Sequence, residues 1–462
     1  RGELYNKGTF DIKVSITEND SEDVFIAYDA ATVKNAYFPQ TTEEYKVDTN
    51  GGLYLEPTFN NIGCYIDYDT VPEAASCDIK FRRVGDAQWR KAYEPMNDEK
   101  LKQFRGSIVK VDEGTEYEVT ASVLDSDGNA LKTRSAKVTT WTSDVPIAKT
   151  IHLSDIYDGS GQLALLDIQG TADGWIKIDG DGAVIDADKS MLEAVYISNC
   201  RYLIFENVRV TGGGEYCMNI SNGSENVRVI NCDLSGWGPG DGVYDVEMGM
   251  YYINGYFPNY RSGINIKGTR NIVIERCYIH DPDARTNQWT KQNGEMVHPC
   301  GTDALRIAAD SGTVVRYNDF IGSDRHRYND MIEGANNGAI KWASVGRDSD
   351  IYGNMFIYSQ DDILETDGGQ MNVRVYENRG EQSLCGFSTA PSSMGPSYFF
   401  RNVLTNSGTE IDEQWGQSMK MGGLSPDGYN GIIYIFNNTF DVVSHVLKNG
   451  NYGGSSEYHS VS

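Results

Sequence analysis

The chain repeats one short strand pattern many times, and this repeat constrains its fold more than any other feature. Runs rich in β-branched residues, such as 225–232 and 372–378, recur after residue 147. The shortest spacings between runs are about 19 to 25 residues, the length of one coil in a stacked β repeat. A unit this short must stack on its neighbours to bury its apolar face. The repeat therefore predicts a parallel β-helix rather than a propeller, whose blades are longer and rich in hairpins.

Many of these runs close on asparagine, which supports the stacking of equivalent turns. The closing residues are Asn318, Asn354, Asn378, Asn402 and Asn437. Asparagine tolerates the left-handed backbone conformation, and its side-chain amide can bond to the amides above and below it. The sequence therefore predicts a column of asparagines at a stacked turn, each in the left-handed region.

Composition limits the class of the protein and its partners. The chain has 462 residues with 49 glycines and 29 tyrosines, which favours an all-β protein of more than one domain. Its formal net charge of −26 argues against nucleic acid, because phosphate binding needs a basic patch. The charge also disfavours an anionic membrane surface. No apolar run approaches the roughly 18 residues that span a bilayer, so we expect no transmembrane segment.

The chain ends and the cysteines carry less information. The first residues lack the features of a signal peptide and the last ones read as the start of another strand, so we expect a fragment of a longer product. The eight cysteines contain no CxxC pair, which argues against a structural zinc site. Cys64 and Cys77 fit either a disulfide in an oxidising compartment or two buried free thiols.

The chain divides into three segments before any chemistry is considered. Residues 1–45 carry short β-like runs that do not complete a domain. Residues 46–143 alternate apolar and polar positions between turns, as the strands of a β-sandwich do. Residues 147–462 carry the coil repeat, and we expect that repeat to continue beyond residue 462.

The middle segment contains a more specific pattern in its second half. A turn at 112–114 precedes Thr115-x-Tyr117-x-Val119. This pattern resembles the late strands of a fibronectin type III module, including its tyrosine corner. The resemblance implies a spacer or docking platform rather than a site of chemistry.

A near-repeat of acidic residues lies on the coil pattern. The segment 329–333 (Asn-Asp-Met-Ile-Glu) is echoed by 361–365 (Asp-Asp-Ile-Leu-Glu), and 302–307 has arginine where these carry glutamate. In each strand the apolar flanks point inward and the middle residue points outward. This alternation predicts an outer column of Tyr196, Asn219, Asn265, Arg306, Glu333, Glu365 and Lys420. A second column, at the strand entrance, contains Asp303, Asp330 and Asp362.

The region 147–462 resembles the right-handed parallel β-helix proteins, which include pectate lyases, polygalacturonases and several glycosidases. A fibronectin-like module joined to Asn-Asp-x-Ile-Glu and Asp-Asp-x-x-Glu-x-Asp-Gly-Gly looks like secreted carbohydrate-active proteins of glycan-degrading bacteria. The resemblance implies a polysaccharide or oligosaccharide partner and a secreted or cell-surface location. It also implies other components of a cell-surface glycan-uptake system as partners. The complete polygalacturonase pattern is absent, because Gly-His-Gly and Arg-Ile-Lys do not occur.

Stacked carboxylates repel one another unless a proton, a cation or a substrate relieves the repulsion. Neighbouring coils are about 4.8 Å apart, so Glu333 and Glu365 should lie near that separation. Carboxyl groups about 5 Å apart suit a retaining glycosidase, with one as nucleophile and the other as acid/base. Asp330, Asp362 and Arg306 complete this predicted catalytic group. The alternatives are surface ion pairs, or a calcium site formed by Asp361, Asp362, Glu365 and Asp367.

Two coils are about 20 residues too long, and loops of this kind inside a repeat are usually functional. Aromatic side chains in them could stack on sugar rings, or they could simply pack the insertions onto the helix. The candidate substrate-binding residues of these loops are Trp237, Tyr251, Tyr252, Tyr256, Trp289 and His298. Asp303, Asn265 and Lys420 are further candidates on the predicted columns.

Two more residues are candidates for proton transfer. His326 lies in a loop that leads into Asp330, where histidine could carry a proton. Lys341 lies between the two acidic repeats and is the best candidate for the base of a lyase. The sequence slightly favours a glycoside hydrolase without a cofactor over a calcium-dependent polysaccharide lyase acting on a uronate-containing glycan. A non-catalytic glycan-binding surface protein is the third hypothesis.

Overall fold

The computed structural model of the protein describes most of the chain after residue 44. The described residues are 45–246, 250–252, 261–287, 290–292, 295–297, 301–335, 337, 339–340, 343–408, 416–422, 431–442 and 445–450. The predicted leading segment 1–45 lies outside them apart from Tyr45. The described part is almost entirely β-structure, with a short 3-10 helix at Leu153–Asp155. This confirms the predicted all-β class.

The first described region is a sandwich of two four-stranded antiparallel sheets. Its strands are β1 (Leu53–Pro57), β2 (Asn61–Asp67), β3 (Ser76–Arg83), β4 (Arg90–Lys91), β5 (Met96–Asp98), β6 (Gln103–Val109), β7 (Glu116–Leu124) and β8 (Ala130–Thr139). The sheets have the orders β1-β2-β6-β5 and β4-β3-β7-β8. The alternation in strands such as β7 buries one face of each sheet and forms the sandwich core.

Two details of the sandwich bear on the sequence predictions. The hydroxyl of Tyr117 accepts a hydrogen bond from the backbone N–H of Asp112 at 2.9 Å, which is the geometry of a tyrosine corner. Cys64 and Cys77 are buried free thiols, so the second of their two interpretations is the one observed. Membership of the fibronectin type III family and the boundaries 46–143 stay predictions.

After the sandwich the chain winds into coils that build three parallel sheets, named here the front, docking and third sheets. The front sheet contains β10 (Leu163–Leu166), β13 (Glu193–Ser198), β16 (Tyr216–Ser221), β21 (Ser262–Lys267), β26 (Asp303–Ala308), β29 (Ile332–Gly334), β32 (Asp362–Glu365), β35 (Cys385–Thr389), β38 (Gln417–Gly422) and β41 (His445–Gly450). The docking sheet contains β9 (Ile147–His152), β11 (Trp175–Asp179), β14 (Arg201–Glu206), β17 (Glu225–Ile230), β22 (Arg270–Glu275), β27 (Val314–Arg316), β30 (Asp350–Tyr352), β33 (Val373–Tyr376), β36 (Ser397–Phe400) and β39 (Ile433–Phe436). The third sheet contains β12 (Val184–Asp186), β15 (Arg209–Thr211), β18 (Asp233–Ser235), β23 (Tyr278–His280), β28 (Asp319–Ile321), β31 (Met355–Ile357), β34 (Arg379–Glu381), β37 (Val403–Ser407) and β40 (Thr439–Val442).

The interior of the coils is filled by apolar side chains stacked rung on rung. On the front sheet the successive register partners Ile264, Leu305, Ile332, Leu364 and Phe387 are all fully buried. Burying a side chain of this size contributes about 1.5 to 3 kcal/mol, and each coil repeats the contribution. The predicted parallel β-helix is therefore confirmed, with its polar positions left to the outer faces and the turns.

The predicted asparagine column is a buried ladder of amides. Its rungs are Asn318, Asn354, Asn378, Asn402 and Asn438, and each Nδ2 donates to the next Oδ1 at 2.9 to 3.0 Å. The predicted left-handed conformation was misplaced by one residue. It belongs to the residue before each rung, including Asn437 (φ 56°), because that residue makes the turn and the asparagine then points inward. Asn438, not Asn437, is therefore the last rung.

The sandwich lies against the outer face of the docking sheet. There the rings of Tyr352, Tyr376, Phe400 and Phe436 stack with centroids 4.6 to 4.9 Å apart, and Phe59 of the sandwich joins this apolar cluster. The contact buries a row of aromatic rings that would otherwise face water. The sandwich and the β-helix therefore pack directly against each other.

Polar contacts reinforce this interface. Asp350 on the docking sheet accepts hydrogen bonds from Thr58 and Asn61 of the sandwich, at 2.5 and 2.8 Å. It also pairs with Arg374, whose Nε lies 2.5 Å from Asp350 Oδ1, and all of these groups are buried. The hydroxyl of Tyr65 donates to Asp348 at 2.9 Å. Since buried charges are costly unless paired, this network fixes the orientation of the sandwich.

The two long insertions both precede front-sheet strands. They contain the antiparallel hairpins β19 (Val243–Asp245) with β20 (Met250–Tyr252), and β24 (Thr290–Gln292) with β25 (Glu295–Val297). Both insertions therefore stand at the entrance side of the front sheet.

Candidate active site

The pairing register of the front sheet builds one outer column of polar side chains. Glu333 on β29 is the register partner of Arg306 on β26 and of Glu365 on β32. The alternation predicted this column but missed Ser388, the rung between Glu365 and Lys420, because serine carries no charge to mark it. Among the described residues the column runs through Tyr196, Asn219, Asn265, Arg306, Glu333, Glu365, Ser388 and Lys420.

A β-bulge turns the entrance acids toward the same face. The consecutive amides of Ala304 and Leu305 both donate to the single carbonyl of Met331, at 3.1 and 2.9 Å. A bulge of this kind re-aims a side chain at the start of a strand. Asp303 therefore reaches the outer column although it lies three residues before Arg306.

Five carboxyl groups converge here, and we call Asp303, Asp330, Glu333, Asp362 and Glu365 the acid cluster. Oxygens of Asp303, Asp330 and Glu333 lie within 4.8 Å of one another, and so do oxygens of Asp330, Asp362 and Glu365. Asp330 belongs to both groups and joins them. The structure thus brings together the five acids that the sequence proposed for catalysis and substrate binding.

The acid cluster is covered, although the alternation placed it on an outer face. Asp303 and Asp362 are fully buried, and Glu333 and Glu365 are only 7% and 6% exposed. The loop after β29 contributes to this cover, since its Asn337 contacts Glu365, and the alternation of the strands does not predict it. The sequence alternative of plain surface ion pairs is therefore wrong for these acids, since their carboxyl groups are largely withdrawn from water.

Two cations stand at opposite ends of the acid cluster. Arg306 Nη1 lies 2.9 Å from Glu333 Oε2. Lys420 contacts Asp362 closely, and its Nζ lies 3.7 Å from Glu365 Oε2. Among the described residues, five carboxyl groups of the cluster face two cations, and protons, a metal ion or a substrate would relieve the excess of carboxyl groups.

The hydrogen bonds of the acid cluster are unevenly distributed. Asp330 accepts from the backbone N–H of Asp362 at 2.8 Å and from the Asn329 amide at 3.0 Å. Neither oxygen of Asp303 has a donor partner among the described residues. Its carboxyl faces that of Glu333, and two carboxyl groups can bond only when one of them carries a proton.

Burial raises the pKa values of four carboxyl groups of the acid cluster, those of Asp303, Asp330, Asp362 and Glu365. The pKa of Asp330 and that of Glu365 lie well above their ordinary values, first because burial disfavours the charged form and then because neighbouring carboxylates repel it. Burial raises the pKa of Asp303 in the same way. Burial raises the pKa of Asp362 to about 7, although the positive charge of Lys420 acts in the opposite direction. This raised pKa favours the protonated form of Glu365.

Sequence reasoning missed the loop residue that contacts Glu365. Asn337 donates its side-chain amide to Glu365 Oε1 at 2.5 Å. No pattern in the sequence marks Asn337, because it belongs to an irregular loop after β29 rather than to a strand. Only the folded chain shows that this loop reaches the next rung.

The predicted calcium ligands do not form one group in the described part of the chain. Asp362 and Glu365 group with Asp330, whereas Asp361 groups with Asp362 and Cys385. Asp367 instead accepts hydrogen bonds from Ser388 and from the backbone of Ala390, each at 2.6 Å. Lys420 already places a positive charge against Asp362 and Glu365.

A different set of acids fits calcium better. Asp303, Asp330 and Glu333 offer closely spaced carboxylate oxygens, and those of Asp303 are buried and lack a geometric hydrogen-bond donor among the described residues. Calcium prefers several oxygen ligands of this kind. If calcium binds, these three residues would hold it, and the ion would place a positive charge beside the column.

The described aromatic residues of the insertions differ in how the structure bears on their predicted role in substrate binding. Trp237 is fully buried and its ring stacks on Tyr328 with centroids 6.1 Å apart, so the prediction that it binds substrate is wrong. Glycines on both sides let the chain turn inward and place this ring in the helix core. Tyr251 accepts from Arg285 at 2.8 Å and packs against Tyr244, which is the packing role left open by the sequence. Tyr252 is half-buried, and its role stays a prediction.

The remaining candidates stay predictions for different reasons. Tyr256, Trp289, His298 and Lys341 lie outside the described residues. His326 is described, and its Nδ1 is buried without a hydrogen-bond partner in the described part of the chain. Its loop is tied to the first insertion, because Arg325 Nη2 lies 2.5 Å from Asp241 Oδ2. Asn265 donates to Asn219 on the rung below at 3.0 Å.

The fold is similar to those of several solved structures. An alginate lyase from Paenibacillus sp. str. FPU-7 is 12% identical, with a TM-score of 0.41, over 68% of this chain and 99% of that chain. A Family 28 exopolygalacturonase from Yersinia enterocolitica is also 12% identical, with a TM-score of 0.37, over 87% of each chain. The catalytic domain of a GH87 α-1,3-glucanase is 10% identical, with a TM-score of 0.32, over 90% of this chain and 96% of that chain.

These three neighbours are lyases and hydrolases of polysaccharides by their names, and at such identities the likeness concerns the fold alone. No family model and no curated protein matches the sequence. Among the described residues, no helix is long and apolar enough to cross a membrane. What this chain does must therefore be argued from its own site.

Proposed function

We propose that the protein is a polysaccharide-degrading enzyme whose acid cluster hydrolyses glycosidic bonds. One contrast between adjacent rungs carries this proposal. Glu333 forms an ion pair with Arg306, whereas burial and neighbouring carboxylates raise the pKa of Glu365 and favour its protonated form. Glycoside hydrolysis needs one carboxyl group that donates a proton and another that attacks or activates water. The two rungs supply one group of each kind.

The expected mechanism is retaining hydrolysis. Glu333 attacks the anomeric carbon while Glu365 gives its proton to the departing glycosidic oxygen. Water then attacks the anomeric carbon, gives a proton to Glu365 and frees Glu333. Adjacent strands are about 4.8 Å apart, close to the carboxyl separation of about 5 Å in retaining enzymes.

Other rungs of the column would bind the glycan beside the reacting bond. Asn265, Arg306 and Lys420 can donate hydrogen bonds to sugar hydroxyl groups from the same face. Since carboxyl groups outnumber cations here, the site suits a neutral glycan better than a polyuronate. Asp330 and Asp362 would hold the protons and charges that keep Glu333 and Glu365 in their different states.

The second candidate is a calcium-dependent lyase acting on a uronate-containing glycan. It is favoured by the buried oxygens of Asp303, which lack a donor among the described residues and lie next to Asp330 and Glu333. A lyase also needs a base to remove a proton from carbon. Burial alone would lower the pKa of Lys420, but the carboxylates around it outweigh that effect and raise it well above its ordinary value. Lys420 is therefore a poor base, and Lys341 remains the candidate.

The experiment is a product assay over a panel of neutral and uronate polysaccharides, with calcium and with a chelator. We expect new reducing ends without the ultraviolet absorbance of an unsaturated uronate, and no effect of chelation. Absorbance that needs calcium would overturn the hydrolase in favour of the lyase. If no substrate is cleaved but one is retained by the protein, the third hypothesis of a glycan-binding protein takes the place of both.

The proposal includes a location outside the cytoplasm, secreted or at the cell surface, because an enzyme that degrades a polysaccharide must contact the polymer before the cell takes up its fragments. Components of a glycan-uptake system would then be its partners. Fractionation of the producing cells, followed by detection of the protein in each fraction, tests this placement. Recovery in the cytoplasmic fraction alone would contradict it.

A further inference from the structure

The sandwich reaches the loops that border the acid cluster. Tyr45 and Leu101 of the sandwich side form one buried apolar cluster with Ile340, Met371 and Met394. The last three belong to the loops after β29, β32 and β35, the strands that carry Glu333, Glu365 and Ser388. We call this set the clamp. Three consecutive loops beside the site thus pack against the same two residues of the sandwich side.

The three loops are packed directly on one another. At Gly368 a Cβ atom would lie 3.0 Å from the Cβ of Ala343, and at Gly369 it would lie 2.0 Å from the carbonyl oxygen of Ile340. The N–H of Gly368 donates to Pro391 O at 2.8 Å, and the N–H of Ser393 donates to Gly368 O at 2.8 Å. A shift in one loop is therefore passed to the next. This close packing also explains the glycines of the Asp-Gly-Gly motif.

A buried charge pair holds the third loop from the sandwich side. Arg105 is fully buried and pairs with Asp98 at 2.8 Å. Its Nε donates to Gly395 O at 2.6 Å and its Nη2 to Met394 O at 2.5 Å. These bonds are charge-assisted and directional, so they fix both the position of the third loop and its distance from the sandwich.

The far sides of the same loops contact the carboxyl groups of the site. Asn337, in the first loop, donates to Glu365 Oε1 at 2.5 Å. The backbone N–H of Ala390, in the third loop, donates to Asp367 Oδ1 at 2.6 Å. The first loop thus touches the sandwich on one side and Glu365 on the other, and the third loop touches the sandwich and Asp367, two residues after Glu365.

We propose that the sandwich is a positioning element of the active site, which acts through the clamp to hold Asn337 against Glu365. The proposal rests on the proposed function for its kinetic consequence, but the coupling it describes is a property of the fold. It replaces the spacer role implied by the resemblance of this module. Leu101 and Tyr45 are then positioning residues, although neither touches the acid cluster.

The test compares two leucine truncations in the same module. Leu101→Ala removes a clamp contact, whereas Leu53→Ala removes a buried leucine of the sandwich core. We expect Leu101→Ala to lower kcat by about tenfold to a hundredfold with KM nearly unchanged, since small misplacements of catalytic groups are costly. Leu53→Ala should lower thermal stability with kcat unchanged, and Leu101→Met should restore kcat. Equal kcat values for Leu101→Ala and the wild type would overturn the proposal.

A second measurement does not depend on activity. Hydrogen exchange in the Leu101→Ala protein should accelerate at the amides of Gly368 and Ser393, which bond between the loops, and Leu53→Ala should leave these amides protected. Protection that is unchanged in Leu101→Ala would overturn the proposal even if no substrate were found. Faster exchange without any detectable turnover in the wild type would instead uphold the clamp and count against the hydrolase.

If Leu101→Ala does not fold, Asn337→Ala tests the same link from the site side. We expect a similar loss of kcat without a loss of thermal stability, because Asn337 lies in a surface loop and is only half-buried. A normal kcat in Asn337→Ala would overturn the proposal.

Discussion

Two columns of polar side chains climb the same β-helix, one made of amides and one made of carboxyl groups. Both arise because successive coils place equivalent residues one above another at the strand spacing of about 4.8 Å. In the asparagine ladder every Nδ2 donates to the next Oδ1, and rungs such as Asn318 and Asn402 are fully buried. In the acid cluster the carboxyl groups are equally buried, but none can donate unless it is protonated.

The difference between the columns lies in the chemistry of the side chain, since the spacing is the same. An amide has a donor at one end and an acceptor at the other, so a stack of amides satisfies itself and adds stability. Ionised carboxylates are acceptors only, so a stack of them costs free energy until protons or cations relieve it. Stacked buried acids lower stability, so their presence in this part of the β-helix is best explained by a function that requires them.

The largest expected effect comes from the acid column. Glu365→Gln and Glu333→Gln should each lower kcat by about a hundredfold to ten-thousandfold, because each removes a group that transfers a proton or attacks carbon. Both proteins should fold, since glutamine has nearly the shape of glutamate and its oxygen can still accept a hydrogen bond from Asn337 or Arg306. The rate of reducing-end release, measured beside a thermal unfolding curve, checks both statements.

The matched control is Glu377→Gln, a change to a half-exposed glutamate that pairs with Lys110 and Arg401 outside the cluster. Its activity should equal that of the wild type. Full activity in either cluster variant would sink the assignment of that residue. A loss of activity that merely follows a loss of folding would sink it as well.

The amide column should show the opposite response, a loss of stability. Asn378 donates to Asn402 Oδ1 and to Ile351 O, and its Oδ1 accepts twice from Asn354. Asn378→Ala leaves several buried partners unsatisfied, and each such group costs about 1 to 3 kcal/mol. We expect the free energy of unfolding to fall by about 3 kcal/mol, measured by denaturant unfolding.

An exposed amide pair provides the control for this change. Asn231 donates to Asn207 at 2.7 Å in a solvent-exposed position. Asn231→Gly should cost less than about 1 kcal/mol, because water can replace the lost partner and glycine readily adopts the left-handed backbone of this position (φ 53°). Equal costs at the buried and exposed positions would mean that the ladder is not what stabilises the turn.

Much of both columns could be predicted from the sequence, because equivalent positions in successive repeats pair with one another in the sheet. The alternation in β26, β29 and β32 was enough to place Arg306, Glu333 and Glu365 in one column. Asn437 was mistaken for a rung because two asparagines are adjacent there, and only backbone geometry separates the turn residue from the rung.

The misses have a different physical origin. Trp237 lies between glycines and reads as a surface aromatic, but the turn directs it into the core, which no local pattern reveals. The cover over the acid cluster includes the irregular loop after β29, and the other module holds that loop. Asn337 and Leu101 are far apart in the sequence from each other and from Glu365, so only tertiary packing relates them.

The smallest expected effect is a change in how the free energy of unfolding depends on pH. It tests directly whether a buried acid of the column lowers stability. Burial and the neighbouring Glu333 raise the pKa of Asp303 well above its ordinary value of 3.8. Above that value the unfolded chain loses the proton while the folded protein keeps it, so Asp303 lowers stability progressively as the pH rises. The slope is at most about 1.4 kcal/mol per pH unit until the folded group ionises as well.

Asp303→Asn removes this titration and should flatten the pH dependence of the unfolding free energy. The variant should match the wild type near pH 4 and exceed it in stability at pH 8, because the wild type alone carries the growing cost of keeping a proton. Denaturant unfolding across that range measures the difference, with the exposed Asp319→Asn as a control that should follow the wild type. A wild-type protein that gains stability relative to Asp303→Asn as the pH rises would show that this carboxyl is ionised in the fold. The acid column would then be neutralised by bound cations, as the calcium alternative requires, rather than by protons.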